Sequence, residues 1–323
     1  MEQQETTVAM SYTRRCLLVI VLLLIACVVN ADELGASLHL EGRMACQRGV
    51  ARLITWQDAE GSWQQDPGLT AHAALALTAA AGEFLDAQAA RQRALAFVQE
   101  RLLRAATPLS PSASENEQQV AVGAVAMALR LFLREGALVP PESVGRLRDI
   151  VAAGKVPAAD AMIVLDALLL MQQTNAGNAV LVGAKAGSES VHLSNQLLAN
   201  IIANGDDAVP AGVRLAARMA TGDVTVGAAA RRRLEGVSGD GNGALLAELY
   251  WLARVLYAQG SSGDDTAAWR TQLMTVLLEM QRGDGGWGRV GDSPAARIVD
   301  SAWALQALAV LLAAAPQGGE WHR

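Results

Sequence analysis

Apolar segments rich in alanine and leucine follow one another along most of this chain, and short polar breaks containing glycine, proline or serine separate them. Few stretches have the alternating pattern of strands. We therefore predict an all-α protein of about twelve helices. The predicted helices lie at 42–57, 69–82, 87–105, 117–134, 141–153, 158–173, 190–203, 208–220, 226–235, 242–259, 265–281 and 296–314.

One short motif occurs near both ends of the chain, each time between two predicted helices. Both copies have the form Gln-x-x-x-Gly-x-Trp, with a leucine four residues before the glutamine. The matched residues are Gln57, Gly61 and Trp63 in the first copy and Gln281, Gly285 and Trp287 in the second. We expect the glutamine to bond backbone groups, the glycine to permit a positive φ, and the indole N–H to find an acceptor. The repeat predicts hairpins of two helices joined by a fixed turn.

These turns resemble the QW-type repeats of the squalene–hopene cyclase and protein prenyltransferase β-subunit superfamily. The resemblance implies an α/α toroid built from helical hairpins. The predicted helices would form about six hairpins, which is the number in a single toroid of that superfamily. No long low-complexity linker divides the chain, so residues 32–323 are assigned to one such domain.

Residues 1–31 have the features of an export signal. Arg14 and Arg15 precede an apolar run at 16–29, and small residues at 29–31 form a cleavage site. The run is short for a membrane span, which needs about 20 residues, but a retained anchor is the alternative. Cys27 lies in a segment that resembles a bacterial lipobox, which would make it a lipidation site, and the arginine pair loosely resembles a twin-arginine signal. We expect an exported, periplasmic or otherwise extracytoplasmic protein, soluble or anchored to the membrane.

The composition argues against several partners and types of site. The formal net charge is −6, and removal of residues 1–31 leaves it unchanged, which argues against a nucleic-acid partner. Cys46 is the only cysteine outside the signal, so the domain has neither an intramolecular disulfide nor a cysteine cluster for zinc. The four histidines lack the spacing of metal ligands. We therefore expect neither a metal nor a cofactor.

The catalytic residues of the resembled superfamily are largely missing. A cyclase would carry an acid-rich motif at the start of an inner helix, but residues 297–302 read Arg-Ile-Val-Asp-Ser-Ala and retain only Asp300. The cysteine that would complete a prenyltransferase zinc site does not follow it. The segment at 160–168 aligns with that at 300–308, and we interpret Asp160 and Asp300 as acids of a first helical turn. Asp300, Asp160 and Glu248 remain as candidate catalytic acids.

A ligand of a toroid would occupy a central cavity. His72 falls on the inner helix after the first turn, Tyr250 and Trp251 follow Glu248 closely, and Trp303 lies on the last helix. Aromatic residues make up only 4% of the chain, whereas terpene cyclases line their cavities with many of them. Packing between helices is the simpler explanation for each of these side chains. The four are nevertheless the candidate ligand contacts.

Three functions remain open at this point. The first is an exported toroid that binds an apolar ligand, an isoprenoid or a lipid, without the family's standard catalytic residues. The second is a protein-interaction scaffold with partners in the cell envelope. The third is a divergent terpene cyclase or prenyltransferase that uses a non-standard acid. The missing catalytic sets favour the first.

Overall fold

A computed structural model describes most of the predicted domain. The described residues are 35–80, 85–105, 115–137, 139, 141–153, 156, 160–177, 194, 197, 199, 211–221, 223, 225–237, 243–259 and 264–313. The proposed signal at 1–31 and the lipidation site Cys27 lie outside this part. Within it the chain forms eleven helices and no strand, so the predicted all-α class is confirmed. The helices are α1 (Ala36–Thr55), α2 (Pro67–Ala80), α3 (Leu85–Ala105), α4 (Glu115–Glu135), α5 (Pro141–Ala152), α6 (Ala161–Gly177), α7 (Ala211–Ala220), α8 (Val226–Glu235), α9 (Gly243–Ala258), α10 (Asp264–Glu279) and α11 (Pro294–Leu312).

Each of these helices overlaps a predicted one. The largest difference is at α1, which begins at Ala36 rather than at residue 42. Helix α11 also begins slightly early, because Ser293 accepts a hydrogen bond from the Ala296 N–H (3.2 Å) and Pro294 follows the cap, where its missing N–H costs nothing. The predicted helix at 190–203 is described only at Ser194, Leu197 and Ala199, all of them helical.

The described helices form an inner and an outer set. The inner helices contact one another in the order α6, α4, α2, α11, α9, α7. Helices α1, α3, α5, α8 and α10 each pack against one or more members of this set. Helix α11 packs against α2, and α1 packs against α10, so helices from the two ends of the described chain meet. A single hydrophobic core includes residues from all eleven helices.

Helix α11 is the one helix, among the described residues, that is long and apolar enough to cross a membrane. Its mean hydropathy is 1.4, but 61% of its most apolar window is buried by other helices. Residues 300–308 are buried on every side, as in the central helix of a large core. We therefore interpret α11 as a core helix.

The tryptophans of the two turns make matching hydrogen bonds. The Trp63 indole donates to the Leu53 carbonyl (2.9 Å), and the Trp63 backbone N–H donates to the Thr70 hydroxyl (3.0 Å). The second turn repeats both bonds, from the Trp287 indole to Leu277 O (2.8 Å) and from the Trp287 N–H to Ser301 Oγ (2.9 Å). Each tryptophan thus joins the end of the preceding outer helix to the following inner helix.

The glutamine of each turn also binds a neighbouring outer helix. The Gln57 amide donates to Gly61 O (2.9 Å) within its own turn and to Ala90 O (2.8 Å) on α3, and Gln57 Oε1 accepts from Arg93 (2.6 Å). The second copy makes the same three contacts, from Gln281 to Gly285 O (2.9 Å), Ala45 O (2.8 Å) and Arg48 (2.6 Å). Because Ala45 and Arg48 lie on α1, the contact that joins the first hairpin to the second also joins the last hairpin to the first.

A pattern on the two receiving helices identifies this contact in the sequence, although our sequence predictions did not include it. Both helices carry Ala-x-Gln-Arg, at 45–48 on α1 and at 90–93 on α3. The alanine provides the carbonyl acceptor, and the arginine reaches the glutamine side chain. The repeat therefore has two parts, a turn and a site on the neighbouring outer helix that receives it.

The turn glycines tolerate no side chain. Gly61 has a φ of 88° and Gly285 a φ of 89°. A Cβ on Gly61 would lie 2.7 Å from the backbone carbonyl of Arg93 on α3. Backbone atoms cannot rotate away as the end of a long side chain can, so a larger residue would move the turn off the helix.

We predict that Gly61→Ala lowers the free energy of unfolding by roughly 3 kcal/mol or more, because backbone strain adds to a collision with α3. Gly136→Ala is a matched control. Gly136 also has a positive φ (64°), but no atom lies within 4 Å of its added Cβ, so only the strain of roughly 1–2 kcal/mol applies. Urea unfolding measures both. If both variants lost the same free energy of unfolding, the close approach of Gly61 to α3 would not limit the size of the residue at this position.

Candidate functional site

The four aromatic ligand candidates lie together in the structure. The His72 ring of α2 meets the Trp303 ring of α11 edge to face, with centroids 4.4 Å apart. Tyr250 of α9 lies 4.8 Å from Trp251 and 5.0 Å from Trp303 by the same measure. All four side chains are at most 6% exposed. They form one aromatic cluster between α2, α9 and α11, and packing accounts for most of their surface.

A buried ion-pair network lies beside the aromatic cluster. The Asp166 carboxylate of α6 lies 2.7 Å from Arg130 Nε on α4 and 2.8 Å from Arg254 Nη1 on α9. The Tyr250 hydroxyl accepts from Arg254 (3.2 Å) and from Arg130 (3.4 Å). One carboxylate thus connects three inner helices. Our sequence predictions missed this network; the signal was Asp166 itself, a charge within an apolar helix.

The environment shifts the pKa values of this region strongly. Burial alone would raise the pKa of Asp166, but the guanidinium groups of Arg254 and Arg130 hold it well below its usual range. Burial likewise lowers the pKa of Arg254, whereas Asp166 and Tyr250 raise it above its usual range. Loss of hydration, together with the charge of Arg130, lowers the pKa of His72 to about 3. Asp166 and Arg254 are therefore ionised, and His72 is neutral, at physiological pH.

A cavity of about 320 Å³ lies at the C-terminal halves of four inner helices. Such a volume is near the lower end of the roughly 300–1,000 Å³ of typical ligand pockets. Apolar side chains and three guanidinium groups share its wall. The lining residues are Leu75, Thr78 and Ala79 of α2; Arg130 and Arg134 of α4; Tyr250, Arg254, Tyr257 and Ala258 of α9; and Gln306, Ala309, Val310 and Ala313 of α11 and its end.

Arg134 differs from the other two arginines of the cavity. It is exposed to solvent at the mouth of the cavity, and no hydrogen bond or ion pair joins its side chain to the residues that the structure describes. Partial loss of hydration lowers the pKa of Arg134, and Asp166 and Tyr250 oppose that shift only in part. Both oxygens of Asp166 already contact Arg130 and Arg254. Among the described residues, no carboxylate therefore pairs with the charge of Arg134.

The candidate acids Asp300 and Asp160 lie outside this cavity lining. Asp300 is buried, and burial together with the Asp292 charge raises its pKa to about 6. The prediction that Asp300 belongs to a first helical turn is wrong, because α11 already begins at Pro294. Asp160 directly precedes α6, where its backbone carbonyl accepts from the Val164 N–H (2.9 Å), and burial raises its pKa.

Glu248 is also absent from the cavity lining. Arg233 of α8 binds both of its oxygens, with Nε 2.6 Å from Oε1 and Nη2 3.2 Å from Oε2. Glu248 therefore faces the outer helix α8, whereas Tyr250, two residues later, faces the cavity. Proximity in sequence to Tyr250 and Trp251 did not indicate a shared site.

The remaining chemistry of the described residues is limited. They contain no group of three or more His, Cys, Asp or Glu side chains placed to hold a metal ion. The Cys46 thiol is buried and donates to Ala80 O (3.4 Å). Burial raises the pKa of this thiol to about 11, so it stays protonated at physiological pH.

Comparison with known proteins found no matching family model, no matching curated protein and no matching solved structure. The resemblance to the cyclase and prenyltransferase superfamily therefore depends on the two turns and the predicted hairpins alone. A function for this chain has to be argued from its own cavity and side chains.

We predict that His72→Phe makes stability less dependent on pH. His72 has a lowered pKa when folded, so below about pH 6.5 the unfolded chain binds a proton that the folded chain does not. This residue therefore costs up to about 1.4 kcal/mol of stability for each pH unit between about 6.5 and the folded pKa of about 3. Phenylalanine preserves an aromatic contact with Trp303. Urea unfolding at pH 7.5, 5.5 and 4.5 should show that the free energy of unfolding falls less with decreasing pH in the variant than in the unchanged protein. An identical fall in both proteins would contradict the lowered pKa of His72.

We predict that Asp166→Asn lowers the free energy of unfolding by roughly 3–5 kcal/mol, because it leaves two buried guanidinium groups without their carboxylate. Asp149→Asn is the matched control. Asp149 pairs with Arg148 at the surface, where such a pair contributes about 0–1 kcal/mol. Urea unfolding at pH 7.5 measures both variants. A loss at Asp166 no larger than that at Asp149 would show that the network does not need this charge.

Proposed function

We propose that the described helices belong to an α/α toroid of six hairpins. Three observations support this arrangement: the order of contacts among the inner helices, the contact of α11 with α2, and the docking of the second turn on α1. The proposed hairpins are α1–α2, α3–α4, α5–α6, the predicted helix at 190–203 with α7, α8–α9 and α10–α11. Residues 14–31 support the further proposal that the protein is exported.

We propose that the cavity binds an amphiphile with an apolar tail and an anionic head. The observation that carries this proposal is a wall that combines three arginines with apolar side chains. The tail corresponds to the isoprenoid or lipid expected from the sequence. The anionic head is added because an apolar molecule alone would remove water from the guanidinium groups without replacing its hydrogen bonds.

The two kinds of side chain occupy different parts of the wall. Leu75 of α2 and Ala309 and Val310 of α11 provide apolar surface for a tail. Arg130, Arg134 and Arg254 lie on α4 and α9, where they can donate to a head group. An amphiphile would therefore bind with its head toward α4 and α9 and its tail along α2 and α11.

The positions of the candidate acids favour binding over catalysis. Asp160, Glu248 and Asp300 are all absent from the cavity lining. Tyr250 does reach the cavity, but its hydroxyl accepts hydrogen bonds from two arginines and remains next to fixed positive charge. A chemical step would need an acid or a nucleophile beside the ligand, and the polar side chains of the described lining are only arginine, tyrosine, threonine and glutamine.

The proposal predicts that decyl phosphate binds in the cavity. Ala309→Phe places a ring in the proposed tail path and should weaken this binding roughly tenfold or more, about 1.4 kcal/mol. Ala89→Phe, on the exposed side of α3, is the control and should bind like the unchanged protein. Fluorescence of Trp251 and Trp303 beside the cavity, or calorimetry, gives the affinity. Absence of binding, or equal affinities in all three proteins, would overturn the proposed function.

A further inference from the structure

We infer that the head group of the bound amphiphile is the dianion of a phosphate monoester and that Arg134 selects it over a carboxylate. This inference rests on the proposed amphiphile site. The charges around the cavity lead to this choice. Arg130, Arg134 and Arg254 contribute three positive charges, and Asp166 contributes one negative charge. The described groups thus carry a surplus of two positive charges.

Glu135, an acid that bonds to a residue of the cavity lining, does not change this surplus. Glu135 accepts from the Thr78 hydroxyl (2.6 Å) at the cavity wall, but it also pairs with Arg91 of α3 at 3.5 Å. That pair is neutral as a unit. Helix C-termini add partial negative charge, yet this effect is confined to about the last turn. Arg130 and Arg254 lie about a turn or more before the ends of their helices. The partial negative charge of the helix ends therefore does not cancel the surplus positive charge around these two residues.

A phosphate monoester fits this surplus in charge and in hydrogen bonding. It carries a charge of about −1.5 to −2 at pH 7 and has three acceptor oxygens. Three arginines line the cavity, and guanidinium is the side-chain group best matched to phosphate geometry. A carboxylate has one charge and would leave one cation without a counterion. A diphosphate would bring more negative charge than the site neutralises.

Arg134 is the arginine best suited to distinguish these heads. Arg130 and Arg254 already contact Asp166, so either a carboxylate or a phosphate can bind beside a pair that is partly neutralised. The guanidinium of Arg134 forms no ion pair with the described residues, feels the Asp166 charge only at a distance, and lines the same cavity. It therefore provides the second charge that a dianion uses and a monoanion does not.

The test compares decyl phosphate, decanoate, decanol and inorganic phosphate, measured by calorimetry at pH 7.5. The full-length protein should bind decyl phosphate at least about tenfold tighter than decanoate, since the second charge gains a charge-assisted hydrogen bond. Arg134→Gln should weaken decyl phosphate binding about tenfold and decanoate binding less than about threefold. Arg148→Gln, which removes a surface arginine outside the cavity lining, should change neither affinity.

The pH dependence gives a second readout that a structural role of Arg134 would not produce. Decyl phosphate should bind more weakly as the pH falls through about 6, the second pKa of the phosphate, whereas decanoate binding should stay level to about pH 5.5. His72 and Asp166 keep their charge states over this pH range, because the pKa of His72 is about 3 and that of Asp166 lies well below its usual range. Asp300, with a pKa of about 6, is absent from the cavity lining.

The outcomes separate this inference from the proposed function. If no probe binds, both are overturned. If decanoate binds as tightly as decyl phosphate, or Arg134→Gln weakens the two equally, the phosphate head is wrong while the amphiphile site stands. If inorganic phosphate binds as tightly as decyl phosphate, the ligand is a free phosphate and the apolar tail is wrong. If decanol binds best, the arginines do not determine the ligand and the anionic head is wrong.

Discussion

The docking of each glycine turn onto a neighbouring outer helix is the constraint on which the arrangement of the hairpins depends. A glutamine amide bonds its own turn and the carbonyl of an alanine on that helix, at 2.8 Å in both copies. The turn glycine has no Cβ, so the two backbones approach closely at this point. Because the second turn docks on α1, the same local chemistry that sets the spacing of consecutive hairpins brings the first and last hairpins together.

The contact between helices from the two ends of the described chain also determines which side chains meet. Helix α11 comes to lie between α2 and α9, which brings His72, Trp303 and Tyr250 into contact although they are far apart in sequence. The Asp166 network, beside these aromatic side chains, connects α4, α6 and α9. A buried ion pair contributes little net stability, since desolvation offsets much of the attraction. Here the network connects three helices and keeps charge beside a cavity.

The sequence predicted features that depend on nearby residues and missed those that depend on distant ones. Helices and turns could be located because alanine, leucine, glycine and proline act locally. The Asp166 network could not, because its three charged groups come from three separate helices. Glu248 and Tyr250 were both candidates from one short segment, but residues two apart on a helix face different directions, and only Tyr250 lines the cavity. Asp300 was placed in a first turn because the cap at Ser293 was not recognised.

The turns also explain why the proposed ligand site lies at one end of the inner helices. Each turn immediately precedes an inner helix, and its tryptophan is buried there, bonded to Thr70 or Ser301. Trp63 and Trp287 thus lie beside the N-terminal halves of α2 and α11. The cavity instead lies at the C-terminal halves, where the lining contains alanine, leucine, valine and arginine. No residue of either turn lines the cavity, whereas three arginines of α4 and α9 do.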